Sequence, residues 1–324
     1  MKTIYSAEVL NLDAQKEVER IASVVRDQVF RELKRKGVVL GLSGGIDSSV
    51  SAALCVRALG PERVFGLFLP ETDSSGDSLR LGRLLADSLG IRAQLEDIAP
   101  ILKAAGCYRR RDEAIRSLVP EYSGEHKSKI VLPGIIEQSA YAIFSLIVQA
   151  PGGAEKRVRL TADAYRGIVA ATNFKQRVRK MMEYYYADLL HYAVVGTPNR
   201  LEYDQGFFVK NGDGSADLKP IAHLYKGQVY QLAAHLNVPV EIQRRPPTTD
   251  TYSLEQSQEE FYFSLPLAQF DLCLYGKDHD IPTEEVATAT NLTPEQVAHV
   301  YSQIESRRKA TRYQHSQPLL VTEK

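Results

Sequence analysis

The chain has no tryptophan, only three cysteines among 324 residues, and no surplus of either charge: forty Lys and Arg stand against forty Asp and Glu. Each shortage removes a class of function. Without a net field, nothing draws the whole molecule onto nucleic acid or an anionic membrane, so neither is expected as a partner. Cys55, Cys107 and Cys273 are odd in number and widely scattered. They fit neither a C-x-x-C metal site nor a disulfide scaffold, and reduced thiols in a cytoplasmic protein are the expectation. No window is apolar over the length of a membrane span, and Met1 to Val9 lacks the basic start and apolar stretch of a secretion signal. His191, His223 and His235 show no metal spacing.

What is present is a rhythm of strands and helices. From Asn11 to Lys36 apolar residues recur at helical spacing until Gly37 stops them, which predicts an amphipathic helix. Val38 to Leu42, a Gly-rich turn and Val50 to Leu59 then read as strand, turn and helix. Val64 to Leu69 and Ile91 to Leu95 read as further strands around a helix from Leu79 to Leu89, and Tyr192 to Val195 resumes the sheet. Alternation of this kind predicts a parallel sheet covered by helices on both faces. Residues 107–161 break the rhythm and read as an insertion with some helix, most clearly the apolar run Ile135 to Val148. After Pro220 the chain reads as largely helical, and residues 1–324 are taken as one domain.

The segment Ser43-Gly44-Gly45-Ile46-Asp47-Ser48-Ser49 lies between the first strand and its helix. Two glycines let the backbone approach an anion, N–H groups at the helix start point at it, and the hydroxyls of Ser43, Ser48 and Ser49 add donors. Such a nest suits pyrophosphate. Asp47 would repel phosphate unless a cation lay between them, which implies Mg²⁺. A Ser/Gly turn capping an ordinary helix is the plain alternative, but five matching positions in a strand–turn–helix setting argue against it. No Lys follows the glycines as in a Walker A loop, and the spacing fails G-x-G-x-x-G.

Further along, Asn173 to Arg179 runs into Tyr184-Tyr185-Tyr186, and helical spacing sets Asn173, Arg177 and Tyr184 along one face. An amide, a guanidinium and an aromatic ring could together hold a phosphate-bearing aromatic ligand. Val195-Gly196-Thr197 ends a strand and leads to Glu202; Gly206 to Asp217 is a loop rich in Gly and charge; Lys226 opens a helix; and Arg245-Pro246-Pro247-Thr248-Thr249-Asp250 forms a turn.

The first loop resembles the PP-loop of the N-type ATP pyrophosphatases, which split ATP between its α and β phosphates. Taken in order, the later segments resemble the NAD synthetase signature, most specifically in Gly206 to Asp217, over most of residues 15–105 and 165–276. The resemblance implies a doubly wound α/β fold of the adenine nucleotide alpha-hydrolase-like, Rossmann-like type with a helical C-terminal part. It implies that Ser43, Gly44, Gly45, Ser48, Ser49, Thr197, Lys226 and Thr248 touch ATP, and that Asp47 and Glu202 hold Mg²⁺. Asn173, Arg177, Tyr184, Lys210 and Asp213 would face deamido-NAD, with Lys210, Asp213, Asp217 and Lys226 in the chemistry. The carboxylate would be adenylated and then meet ammonia, whose extra proton Asp213 or Asp217 would take. A homodimer is implied, with the N-terminal helix as a contact.

The departures are specific. Phe68 precedes Leu69-Pro70 where many ammonia-using relatives carry Arg, and Tyr313 to His315 holds no copy of the family's C-terminal His-Lys pair. Arg109-Arg110-Arg111 and Arg307-Arg308-Lys309 read as solvated helix faces. The short stretch before Ser43 reads as one helix, so no glutaminase domain is expected there. Free ammonia, or a separate glutaminase subunit, would supply the nitrogen. A PP-loop ligase acting on another carboxylate is the rival reading.

Overall fold

A computed structural model describes residues 5–131, 144–247, 252–256 and 265–321. Helix α1, Ala14–Asp27, starts at an Asp13 cap and buries Val18, Ile21, Ala22 and Val25, then passes into a π turn over Gln28–Glu32. Its apolar face is therefore spent on the core. Strand β1, Val38–Gly41, leads through the phosphate loop into α2, Ile46–Leu59, followed by β2, Val64–Phe68, α3, Gly76–Leu89, and β3, Arg92–Leu95.

Helices α4, Ala99–Ala104, and α5, Cys107–Arg116, precede three strands: β4, Lys127–Val131, β5, Ser145–Gln149, and β6, Glu155–Arg159. These three form a separate antiparallel sheet in the order β4-β5-β6. The expected helix from Ile135 to Val148 is thus corrected where it can be seen: Ser145–Gln149 is a strand whose Leu146 and Val148 alternate inward. Period-two burial on a hairpin prevails over the helical look of a short apolar run. Residues 132–143 lie outside the described part.

A 29-residue helix, α6, Ala162–Leu190, returns the chain to β7, Ala193–Val194. The main sheet is parallel in the order β3-β2-β1-β7, with Val38 opposite both Val64 and Ala193. Alternation along β1 divides the core. Val38 and Leu40 point into one cluster with α1, α2, α3 and α8, Lys226–His235, whereas Val39 points into another with Leu102, Val178 and Ala187 on the opposite face. That is the doubly wound arrangement. Between β7 and α8 lies α7, Arg200–Gln205, and beyond α8 lie α9, Val240–Arg244, α10, Leu267–Asp278, α11, Thr283–Thr290, and α12, Pro294–His315. The last three share a core of their own that includes Phe270, Val286 and Ile304.

Two charge runs differ from expectation. Arg109 does pair with Glu113 at the surface, but Arg111 is buried against Asp73 and Asp112. Arg308 is held by Asp204, Asp278 and Glu305 instead of facing solvent alone. All three cysteines are buried and free, and burial pushes the thiols of Cys55 and Cys273 up to about 12. Among the described residues no helix is long and apolar enough to cross a membrane.

Candidate active site

A cleft of about 740 Å³ opens at the C-terminal ends of β1 and β2, where parallel sheets present their loops. The phosphate loop forms one wall. Gly45 precedes α2 with extended backbone and no side-chain cap on the helix, so the first N–H groups keep no internal acceptor from that position. The Ser43 and Ser48 hydroxyls stand 3.1 Å apart beside it, and Ser48 Oγ donates to the Gly45 carbonyl at 3.0 Å. Gly44 has φ of +70°, and a Cβ there would sit 2.7 Å from the Ser78 carbonyl oxygen and 2.8 Å from Leu81. The close approach of α3 accounts for the glycine. Ser49 is different: it is fully buried and its hydroxyl turns back to the Gly45 carbonyl at 2.8 Å, away from the cleft.

Asp47 and Glu202 both line the cleft. Asp47 forms an ion pair with Lys226 and accepts from Asn199 Nδ2 at 3.1 Å. Asn199 and Glu202 cap α7 reciprocally: the Glu202 N–H donates to Asn199 Oδ1 at 3.2 Å, and the Asn199 N–H donates to Glu202 Oε2 at 3.1 Å. Lys226 lies behind Asp47 instead of on the cleft surface and is almost wholly buried. Burial opposes its charge, but Asp47 and Glu202 prevail and hold its ammonium above the usual lysine range. Its helix start is fastened by Asp271, which accepts the N–H of Lys226 at 3.1 Å and of Gly227 at 2.7 Å, and whose carboxyl burial pushes up to about 6.

Two hard carboxylate donors suit Mg²⁺ chemically. Among the described residues no group of three His, Cys, Asp or Glu could hold a metal ion. An ion held here would therefore complete its shell from phosphate and water, as is usual for Mg²⁺.

Helix α6 forms the opposite wall. Asn173 and Arg177 line the cleft, and Arg177 Nε donates to the Lys210 carbonyl at 3.3 Å. Tyr184 does not line it: its hydroxyl donates to Asp217 at 3.3 Å, and Asp217 accepts the Val194 N–H at 2.7 Å. That pair fastens the loop to β7, and Asp217 stands off the cleft. Asp213 does line it; burial pushes its carboxyl above the usual range although the Val209 N–H donates to it at 2.8 Å. Lys210 also lines the cleft, and its ammonium donates to the Tyr313 and Ser316 carbonyls at 2.8 and 3.1 Å. Thr197 is in the lining, and Thr248 falls outside the described residues.

Several cleft residues were not singled out from sequence. Arg245 donates to the Ser78 hydroxyl at 2.9 Å and to the Ser43 carbonyl at 3.4 Å, placing a guanidinium over the loop. Lys180 and Glu183 form a buried pair at 2.6 Å at the foot of the cleft. The Asn199-x-x-Glu202 spacing was a readable capping signal. Charged positions on α6 carried no such signal, since a charged helical residue is usually solvated.

The model of the family described as NAD synthase matches residues 17–120 and 154–318. An NH(3)-dependent NAD(+) synthetase of Rhizobium meliloti (strain 1021) is 58% identical over 99% of this chain and 96% of its own length. One of Thermotoga neapolitana is 36% identical over 82% of this chain and 87% of its own. Among solved structures, an NH3-dependent NAD synthetase from Campylobacter jejuni superposes with a TM-score of 0.62 at 24% identity, over 96% of this chain and all of that one. At that identity the superposition bears on the fold.

Proposed function

The chain belongs to the NAD synthase family, and from that premise we propose that its cleft makes NAD from deamido-NAD, ATP and ammonia, as a ligase forming a carbon–nitrogen bond. The observation that carries this reading is the uncapped start of α2, opening into the cleft with Asp47 and Glu202 at its rim. The N–H groups there and the Ser43 and Ser48 hydroxyls receive the leaving pyrophosphate, and Arg245 and Thr197 close around it. Asp47 and Glu202 would hold Mg²⁺, which would supply positive charge against the charge spreading over the phosphates. Lys226 acts from behind, fixing Asp47 and adding positive charge to the field.

On the acyl side, Asn173 and Arg177 orient the nucleotide so that its carboxylate faces the α-phosphate. Asp213, with its raised carboxyl, takes the proton that ammonium must lose before it attacks the acyl-adenylate. Asp217 and Tyr184 serve by holding the loop that carries Asp213. Residues 1–324 act as one domain, with 107–161 as an insertion in it. The protein works in the cytoplasm, where its three thiols stay reduced, and takes free ammonia or ammonia from a separate glutaminase subunit. It works as a homodimer, with Met181, Tyr185 and Leu189, exposed at four-residue intervals along α6, as an apolar stripe for the second copy. A monomer in light scattering at micromolar concentration would remove the last point.

The test is product identity. With deamido-NAD, MgATP and ammonia the enzyme should release AMP and pyrophosphate in step with NAD. ADP as product, or turnover only with some other carboxylate, overturns the reading.

A further inference from the structure

The family match stops at 120 and resumes at 154, so β4 and β5 belong to a stretch outside the family model. That stretch nevertheless reaches the cleft. Phe144, the residue before β5, lines it together with Tyr165 in the first turn of α6. The two rings stack with centroids 4.5 Å apart and planes 26° apart. Both are only half-buried, packed against a local core that includes Ile130, Leu146 and Ile168, and Tyr252 joins them in the cleft lining. A flat apolar surface is thus left partly open inside a cleft whose other end is polar.

Helix α6 measures how far apart those ends are. Its cleft-lining residues run from Tyr165 and Val169, through Asn173 and Gln176, to Lys180 and Glu183. Tyr165 and Glu183 are eighteen positions apart, which at 1.5 Å per residue is about 27 Å. Glu183 abuts the end of β1, with Oε1 3.2 Å from where a Cβ on Gly41 would lie, immediately before the phosphate loop. The stacked pair therefore stands at the end away from the phosphate cradle. A dinucleotide whose carboxylate meets the α-phosphate of an ATP anchored at that cradle starts partway along the cleft, so its second base is carried toward the stacked pair.

We propose that Phe144, from the stretch outside the family model, and Tyr165 of α6 form a stacking subsite for the purine of the dinucleotide substrate, at the end away from the reacting carboxylate. The proposal rests on the deamido-NAD reading above. Aromatic rings receive a base by its π face, and a contact made equally in the ground state and the transition state shows in KM with kcat unchanged.

Steady-state kinetics test it, beginning with the unaltered enzyme on deamido-NAD, so that failure of the substrate reading is seen separately. For Phe144→Ala the KM for deamido-NAD should rise about tenfold, the scale of one lost base–aromatic stack, with the KM for ATP unchanged. Phe144→Tyr should restore it. Nicotinate mononucleotide, used as alternative substrate or competitor and lacking the remote purine, should bind both forms alike. If Phe144→Ala lowers the melting temperature too far to assay, Phe144→Leu and Tyr165→Leu carry the same comparison. An unchanged KM for deamido-NAD, an increase in the KM for ATP instead, or an equal loss of mononucleotide binding overturns the proposal.

Discussion

Replacing Lys175 with methionine removes the cation at the centre of a buried network. Lys175 is fully buried on α6, and its ammonium lies 2.9 Å from Glu71 and 2.5 Å from Asp73, both on the loop after β2. Tyr108 donates to Glu71 at 2.9 Å, and Arg111 pairs with Asp73 and Asp112. Methionine fills nearly the same space, so packing changes little while two carboxylates lose their shared partner. Breaking one side of a buried pair costs about 3–5 kcal/mol. At about 2 cal/mol/K of unfolding entropy per residue over this length, 4 kcal/mol lowers the melting midpoint by roughly 6 °C. Pro70, Ser74 and Ser75 of the same loop line the cleft, so the KM for ATP should rise as well. Urea unfolding and calorimetry of Lys175→Met, alone and combined with Glu71→Gln, are the assay. The second change should recover part of the loss, because removing both charges leaves fewer unpaired groups. A single variant within 1 kcal/mol of the parent, or a double variant no better than the single, refutes the argument.

Asp47→Asn should lower kcat by at least about a hundredfold, the scale of losing one preorganised charge contact, and EDTA should abolish turnover until Mg²⁺ is returned; activity indifferent to both removes the metal assignment. Gly44→Ala forces a side chain into left-handed backbone and onto the Ser78 carbonyl, so it should destabilise by about 1–3 kcal/mol, measured by urea titration. Asp271 titrates near 6 when folded against 3.8 unfolded. Between those values the folded state binds more protons, so its contribution to stability falls as pH rises through roughly 4 to 6, by up to about 3 kcal/mol. The difference in unfolding free energy between the parent and Asp271→Asn should shift across that window, and a flat difference contradicts it.

The sheet and the phosphate loop were legible because each rests on local signals. Val38 to Leu42 is apolar throughout, as a strand covered on both faces must be, and Gly44, Gly45 and Ser48 occur at one spacing in one setting. The strand Ser145–Gln149 was read as helix because the apolar run that ends at Val148 carries no turn signal strong enough to separate the two. Its pairing with residues 127–131 and 155–159 is a tertiary fact. Lys180, Glu183 and Arg245 were missed for a related reason: whether a charged side chain faces water or a cleft depends on what packs over it. Tyr184 was set beside Asn173 and Arg177 by helical spacing and family likeness, and Asp217 was a candidate proton acceptor, whereas their own geometry ties the loop to β7.

Lys210 grips the backbone carbonyls of Tyr313 and Ser316 at the end of α12, and Tyr313 and Gln314 form part of the cleft wall. An affinity tag, fusion partner or surface linker attached after this helix is consequently tethered a few residues from the catalytic centre. Pulling on that tether draws directly on a cleft lysine. Immobilised or tagged preparations should therefore be anchored through the opposite terminus if their kinetics are to be compared.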